Sequence, residues 1–579
     1  MGVRVNDSPG RSDGPRWRAR AENWPGLAAL VLLCLAVYLP GLWTIPVVDR
    51  DEARFAQASR QMAESGDWVI PRVVDTPRLN KPPLIYWAQG WTARLLTAGD
   101  MRRDAIWMYR LPSVLGAILV VVLAWRLGCA MFDPRVAWAA AALLAICPVM
   151  VWEARQARAD MVMVAFITAA VWLLWETFRR RSLVCAVALW IAVGFGVLTK
   201  GPAPLIVVVP AMLAWCLLHR SWAPLRATRP LLGILILGAM VLPWVGLVAA
   251  RVGLPEYLGI IARETLGRSV KGQEGHWGPP GYHTLMGVLM LFPASLWVIG
   301  GLFRATRTGL RWSVADAGWW RRTRTTLRTL RAGRAPECFL LCIVLPTWVV
   351  FECVGTKLPH YTMPAYPALA LLAARGAMSS APWLRDWCRR PWVVALVWAW
   401  LPVAIGFGAA AGVVGYVAAE GGVWWAWGVM GAAAAGVLVF AVEGRRLIIA
   451  RDYTALLWRA ARLWGVCAAL IGLSLPHVKA VWVVSRLVDA ARAQDPDATR
   501  PLAFVDLFED SSRFLTRGRV AWIRAGDAPA FLREHPDALL VMPADVASQW
   551  DNLRTLNTVA GVNYSKGQRG SWVLVESAP

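Results

Sequence analysis

Six short stretches of this 579-residue chain put charged side chains where apolar sequence begins or ends. The first, Asp49-Arg50-Asp51-Glu52-Ala53-Arg54-Phe55-Ala56, directly follows an apolar run. Phe55, Ala58 and Met62 then recur at helical spacing, which predicts a helix lying in a membrane interface with Asp51 at its start. A carboxylate there could act as a base or an electrostatic partner, or it could only cap the helix by accepting free backbone N–H groups. The second stretch, Leu79-Asn80-Lys81-Pro82-Pro83, runs into Leu84-Ile85-Tyr86-Trp87. Its prolines stiffen the turn after Lys81, and a lysine fixed at a membrane surface is a point charge suited to phosphate; the plain alternative is a turn with a solvated lysine. In the third, Ala157-Arg158-Ala159-Asp160-Met161, Asp160 is again a functional carboxylate or a cap.

The fourth stretch is Leu198-Thr199-Lys200-Gly201-Pro202, where Lys200 either complements a helix C-terminus or binds a second phosphate. The fifth runs from Arg263-Glu264 through Arg268 and Lys271 to His276 and Pro279-Pro280. The sixth is Lys357-Leu358-Pro359-His360-Tyr361. A lone histidine is more often structural than a ligand, and that applies to His276 and His360. No Walker lysine loop and no dinucleotide fingerprint is present, which suits a donor that needs no nucleotide.

Membrane-spanning helices must position these groups. The chain is 57% hydrophobic and 17% charged, too apolar for a soluble protein, where charged residues make up about a quarter. We count about thirteen apolar spans of bilayer length or slightly less: 24–46, 111–130, 136–152, 161–178, 183–199, 203–218, 230–250, 284–303, 336–354, 361–378, 392–415, 423–442 and 461–480. The first span follows Arg16, Arg18 and Arg20 and lacks a small-residue cleavage site, so it reads as a retained helix. With residues 1–23 in the cytoplasm, alternate loops at 178–181, 219–229, 304–334, 389–390 and 443–446 are cytoplasmic, and nearly all are rich in Arg. All six charged stretches then fall on the opposite, periplasmic side, in the loops 47–110 and 251–283 and at the span ends. Residues 481–579 alternate short apolar runs with helix-like segments, as a small periplasmic α/β domain would.

Lys plus Arg total 61 against 37 Asp plus Glu, a net +24. In a soluble chain that would suggest nucleic acid; here positive cytoplasmic loops and anionic lipids account for it, and no nucleic-acid partner is expected. The basic loop 47–110 lies against the membrane, where it suits phosphate or lipid head groups. The ten cysteines include no CxxC pair, and none falls in the loops around Lys81 or Arg263 or after Ser485, so disulfides are not expected there.

DEARFAQASRQMAESGDWVIPR, KPPLIYW, ARADMVMVAF, GVLTKGP and TKLPHYTMPAYPALALL together carry a family resemblance. They resemble, in order and over roughly residues 30–375, the protein O-mannosyltransferase-like glycosyltransferases of the GT-C fold. Within these the chain is most similar to the bacterial aminoarabinose transferases of lipid A. The resemblance implies an all-α polytopic membrane domain over 24–480 followed by the small α/β domain. It implies that Asp51 and Asp160 are paired catalytic-site carboxylates, and that Lys81, Lys200 and Arg268 hold the donor phosphate. Glu52, Arg54, Arg158, Glu264, Lys357, His360 and Tyr86 are then candidates for acceptor or substrate contacts. The family's Glu before the KP lysine is Asn80 here, which puts a divalent metal in doubt and leaves His276 as a weak ligand.

The activity implied is inverting transfer of a sugar from polyprenyl (undecaprenyl) phosphate to lipid A phosphate, by a monomer in a bacterial inner membrane. Aminoarabinose, an amino-hexose such as glucosamine and a neutral hexose all fit the sequence. A protein or other glycan acceptor is the alternative within the class. A non-catalytic lipid binder or transporter is the alternative outside it, disfavoured because mid-span positions carry few polar residues.

Overall fold

The computed structural model describes residues 24–267, 277–311, 331–332 and 334–578. The tail 1–23, Arg268, Lys271, His276 and part of the loop 304–334 lie outside the described residues.

Among the described residues, eight helices are long and apolar enough to cross a membrane, or nine if the pair Tyr282–Met290 and Ser295–Gly309, bent by 118°, counts as one span. Three shorter apolar helices, Trp24–Tyr38, Pro134–Ile146 and Ala203–His219, join them. Each of the thirteen predicted apolar segments contains a helix, but several are broken. The segment 24–46 is helical only to Tyr38. The segment 136–152 stops at Ile146 and restarts as Pro148–Glu153. Pro293 lies in the break of the bent pair and lacks the N–H that would continue the helical ladder.

The helices that frame the charged stretches are α1 (Trp24–Tyr38), α2 (Asp51–Ser65), α3 (Leu84–Leu96), α4 (Ile106–Met131), α5 (Pro134–Ile146), α6 (Pro148–Glu153), α7 (Asp160–Arg180) and α8 (Leu183–Lys200). Helix α5 is apolar all round and is buried from Val136 to Ile146 apart from Trp138, so it forms the centre of the bundle. Its start is set by Asp133, whose side chain accepts from the N–H groups of Arg135 and Val136, with Pro134 in the first turn. Helix α2 ends at Gly66, whose φ of 74° supplies the left-handed cap. The helix forms at the expected place but is not an open interfacial one: Phe55, Ala58 and Met62 are buried within the protein, and so are Glu52, Gln57 and Arg60 on its other faces.

What covers α2 is the C-terminal domain. Its five-stranded sheet has the order Ala521–Ile523, Leu502–Val505, Leu539–Pro543, Gln568–Ser577, Leu553–Asn563. The first three strands are parallel and the last two antiparallel to their neighbours. A short helix, Asp510–Leu515, rests on α2. Arg54 pairs with Asp510 at 2.7 Å, Arg60 donates to the Phe514 carbonyl at 2.6 Å, and Arg517 pairs with Asp104 at 2.7 Å. The Arg60 guanidinium also lies 3.8 Å from the centre of the Phe514 ring.

Beneath α2 a fully buried ion pair holds the membrane side. Arg110, in α4, donates from Nε and Nη2 to the Glu52 carboxylate at 2.8 and 2.9 Å. Its other N–H groups go to the carbonyls of Leu42, Ile45 and Pro46 at 2.8–3.0 Å. The same carboxylate accepts from the N–H groups of Val48 and Ala157, both at 2.8 Å. Removing one partner of such a pair leaves a buried charge uncompensated, at a cost of about 3–5 kcal/mol. Glu52→Gln should therefore lower stability on that scale, read as a drop of the melting temperature in detergent; an unchanged melting curve would contradict the assignment.

Candidate active site

A cavity of about 440 Å³ opens where α2, α7 and α8 converge, and its wall includes Asp51, Asp160, Arg78, Lys81, Arg158 and Lys200. Asp51 and Asp160 are the first residues of α2 and α7, and Lys200 is the last of α8. Neither aspartate caps its helix: Arg50 and Ala159 occupy the cap positions, and no side-chain cap bond is made at either. The capping alternative is thereby set aside for both.

Arg158 ties the site together. Its Nη2 lies 3.4 Å from Asp51 Oδ2, 3.8 Å from Asp160 Oδ2 and 3.4 Å from His360 Nε2. Its Nη1 donates to Glu153 Oε1 at 3.0 Å. Lys200 Nζ donates to Asp160 Oδ1 at 2.5 Å. Arg78 stands 3.6 Å from Asp51 Oδ1, steadied by a 3.2 Å bond to Tyr86 Oη and by the Phe55 ring. Lys81 donates to Glu264 at 3.1 Å.

The Asp51 side chain keeps 46% of its surface open because it faces the cavity, although protein surrounds that cavity. Burial would raise its carboxyl, but Arg158, Arg78 and Lys200 outweigh burial and hold it below the ordinary carboxylate range. His360 is pulled down to about 3 by burial, against Asp160, and stays neutral. Glu153 is pushed up to about 7 by burial, against Arg158.

Not every residue of the six stretches reaches the cavity. Glu52 is 1% exposed and spent on Arg110, so it is not a substrate contact. Tyr86 is fully buried and acts on Arg78. Lys357 is 5% exposed and turns to the Glu352 carbonyl at 2.6 Å, away from the cavity. His360 and Arg54 do line it. Glu264 lies in an adjoining cavity of about 480 Å³, whose wall also includes Arg54, Arg263, Arg513 and Trp522. Glu153 and Arg78 were not singled out from the sequence. Glu153 carried a signal, an ionisable group at the end of an apolar run.

Among the described residues no group of three or more His, Cys, Asp or Glu could hold a metal ion. Asn80 stands in the cavity wall beside Lys81 and Arg78, which are paired with Glu264 and Asp51.

Residues 80–246 match the family model described as dolichyl-phosphate-mannose-protein mannosyltransferase. With the helical bundle and the small C-terminal sheet domain, this defines the class: a polytopic membrane protein of GT-C-like fold. More particularly, the chain is similar to the undecaprenyl phosphate-alpha-4-amino-4-deoxy-L-arabinose arabinosyl transferase of Edwardsiella ictaluri, 29% identical over 364 residues. That alignment takes in 61% of this chain and 59% of the relative. The protein of the same name from Pseudomonas aeruginosa is 28% identical over 367 residues, again covering 61% and 59%. The chain thus spans about three fifths of the length of the curated relatives it matches. Its fold matches that of ArnT from Cupriavidus metallidurans bound to undecaprenyl phosphate, with a TM-score of 0.69, 20% identity and coverage of 96% and 98% of the two chains. The resemblance read from the motifs is borne out.

Two residues before Asp51, the Asp49 carboxylate accepts from the Ser511 N–H at 2.9 Å across the domain contact. Burial raises it to about 7; the Ser511 hydrogen bond opposes that, and the nearby Glu509 and Asp510 add to it. The folded protein therefore holds a proton that the unfolded chain, at its ordinary value of 3.8, releases. Stability from this group falls as pH rises from 3.8 to about 7 and is level above. Asp49→Asn removes the dependence, so the melting temperature of the variant relative to the parent should rise from pH 5 to pH 8. A difference that stays constant would contradict this.

Proposed function

We propose that this protein moves a sugar from undecaprenyl phosphate, or another polyprenyl phosphate, to lipid A phosphate on the periplasmic face of a bacterial inner membrane, inverting the anomeric carbon. The observation that carries the proposal is the pair Asp51 and Asp160, bridged by Arg158 and ringed by Lys200, Arg78 and Lys81 at the helix ends. Lipid-linked phosphate supplies the anion such a ring accommodates. The names of the arabinosyl transferase relatives and the undecaprenyl phosphate in the ArnT crystals support the donor.

The orientation, with the N-terminus cytoplasmic and the cavity periplasmic, is supported by charge. Helices α7 and α8 run antiparallel, with Asp160 and Lys200 at one end and Arg179, Arg180 and Arg181 at the other.

In the reaction an acceptor oxygen bonds to the anomeric carbon, and the bond from that carbon to the donor phosphate oxygen breaks. The electron pair leaves with polyprenyl phosphate, and Lys81, Arg158 and Lys200 compensate the charge gathering there. Asp51, ionised and open to the cavity, faces the positive charge developing on the sugar. A carboxylate held below its ordinary range is a poor base. That favours an acceptor that is already anionic, a phosphate, over a protein or glycan hydroxyl.

The test is purified protein in vesicles with undecaprenyl-phosphate-linked aminoarabinose and lipid A, read by mass spectrometry. Lipid A should gain the mass of one sugar. Asp51→Asn should lose roughly two orders of magnitude in turnover while its stability stays within about 1 kcal/mol, since Asp51 caps nothing. Lys81→Ala should weaken donor use by roughly tenfold to a hundredfold. Unmodified lipid A would sink the acceptor, and near-normal turnover in Asp51→Asn would sink the site.

A further inference from the structure

Glu153 is the third carboxylate of the cavity, 3% exposed at the end of α6 and beyond the apolar segment α5. One oxygen, Oε1, accepts from Arg158 Nη1 at 3.0 Å. The other, Oε2, is buried, and among the described residues it meets no hydrogen-bond partner. Leaving a buried carboxyl oxygen bare is costly. Arg158 is the only guanidinium bonded to Glu153 among the described residues, and its other terminal nitrogen reaches both aspartates.

We infer that Glu153 is a positioning residue: it fixes how the Arg158 guanidinium divides its charge between the back wall of the cavity and the Asp51–Asp160 pair. This rests on the reading of the cavity as the transfer site. Ionised Glu153 anchors Nη1 and leaves Nη2 aimed between the aspartates. Protonated Glu153 still accepts through its carbonyl oxygen but without charge assistance, so the guanidinium shifts toward the carboxylates and neutralises more of the charge that faces the sugar. The groups around Glu153 are Arg158 in the loop, Asp160 on α7, Lys200 on α8, Asp51 on α2 and His360 in the loop before Tyr366–Ala377. Asp51 titrates below the ordinary carboxylate range and His360 at about 3, whereas Glu153 titrates at about 7; Asp49, two residues from Asp51, is also raised to about 7, so the profile is measured in Asp49→Asn as well, which should keep the inflection.

The experiment measures kcat and donor KM for the full-length protein between pH 5.5 and pH 9. The parent should show kcat rising through an inflection near pH 7. Glu153→Gln should give a flat profile, with kcat at pH 8 lower by about tenfold, the scale of one charge-assisted hydrogen bond, and donor KM within about twofold. Glu153→Asp should restore part of kcat and an inflection. The inference is overturned if Glu153→Gln keeps the inflection, if its kcat at pH 8 equals the parent's, or if Glu153→Asp is no better than Glu153→Gln. Should Glu153→Gln fail to fold, the Asp49→Asn profile decides, and a kcat level from pH 6 to pH 8 in that variant overturns the inference. Absence of any transfer by the parent would be a failure of the proposed function, distinct from these outcomes.

Discussion

The Glu52 carboxylate governs the placement of everything above it. Four N–H donors converge on its two oxygens: two from Arg110 and one each from Val48 and Ala157. Through Arg110 it also holds the carbonyls of Leu42, Ile45 and Pro46. One buried carboxylate thus ties the exit of α1, the first turn of α2 and the loop that leads into α7. Asp51 is its neighbour in sequence, and Asp160 begins the helix three residues after Ala157. Two aspartates more than a hundred positions apart face one cavity because their chain segments share this anchor. Each of its N–H contacts is satisfied, which is the condition for a buried charge to hold geometry rather than disturb it.

Above that anchor the site is built from unequal charge. Arg158, Arg78, Lys200 and Lys81 surround the carboxylates, so Asp51 remains ionised where burial alone would favour the neutral form. The adjoining cavity, not the main one, takes part of its wall from the second domain, through Asp510, Arg513 and Trp522. Arg54, in α2, lines both the main cavity and the adjoining one while pairing with Asp510 of the sheet domain. The two cavities share Arg54, Arg78 and Asn80, and through Arg54 that shared wall is tied to the sheet domain.

Much of this was legible in the sequence, for a physical reason. Ionisable groups such as Asp51, Asp160 and Lys200 stand out at the ends of apolar runs, where charge is expensive to keep. What the runs do not reveal is facing. Successive helical residues point about 100° apart, so Asp51 meets the cavity while Glu52 beside it meets Arg110. Tyr86 and Lys357 likewise belong to the right stretches and turn inward or away. Breaks inside the apolar segments, as at Ile146 and Met290, leave the hydropathy high and so stay hidden. The docking of Phe514 on α2 and of Ser511 on Asp49 just before it joins residues more than four hundred apart and follows no periodicity.

Arg50 has a φ of 64° and ψ of −114°, a backbone state that a side chain with a Cβ seldom adopts. The sheet domain holds that conformation from outside: the Asp49 N–H donates to Tyr564 Oη at 2.8 Å, and the Arg50 guanidinium to the Ser565 carbonyl at 2.5 Å. Synthesis runs the other way along the chain. The ribosome releases the segment around Asp51 early, and it inserts more than four hundred residues before Tyr564 and Ser565 exist. Until they arrive, the Glu52 anchor holds the peptide that carries Asp51 without the contacts to Tyr564 and Ser565. The turn that leads into α2 thus takes its final hydrogen bonds from some of the last residues of the chain to be made.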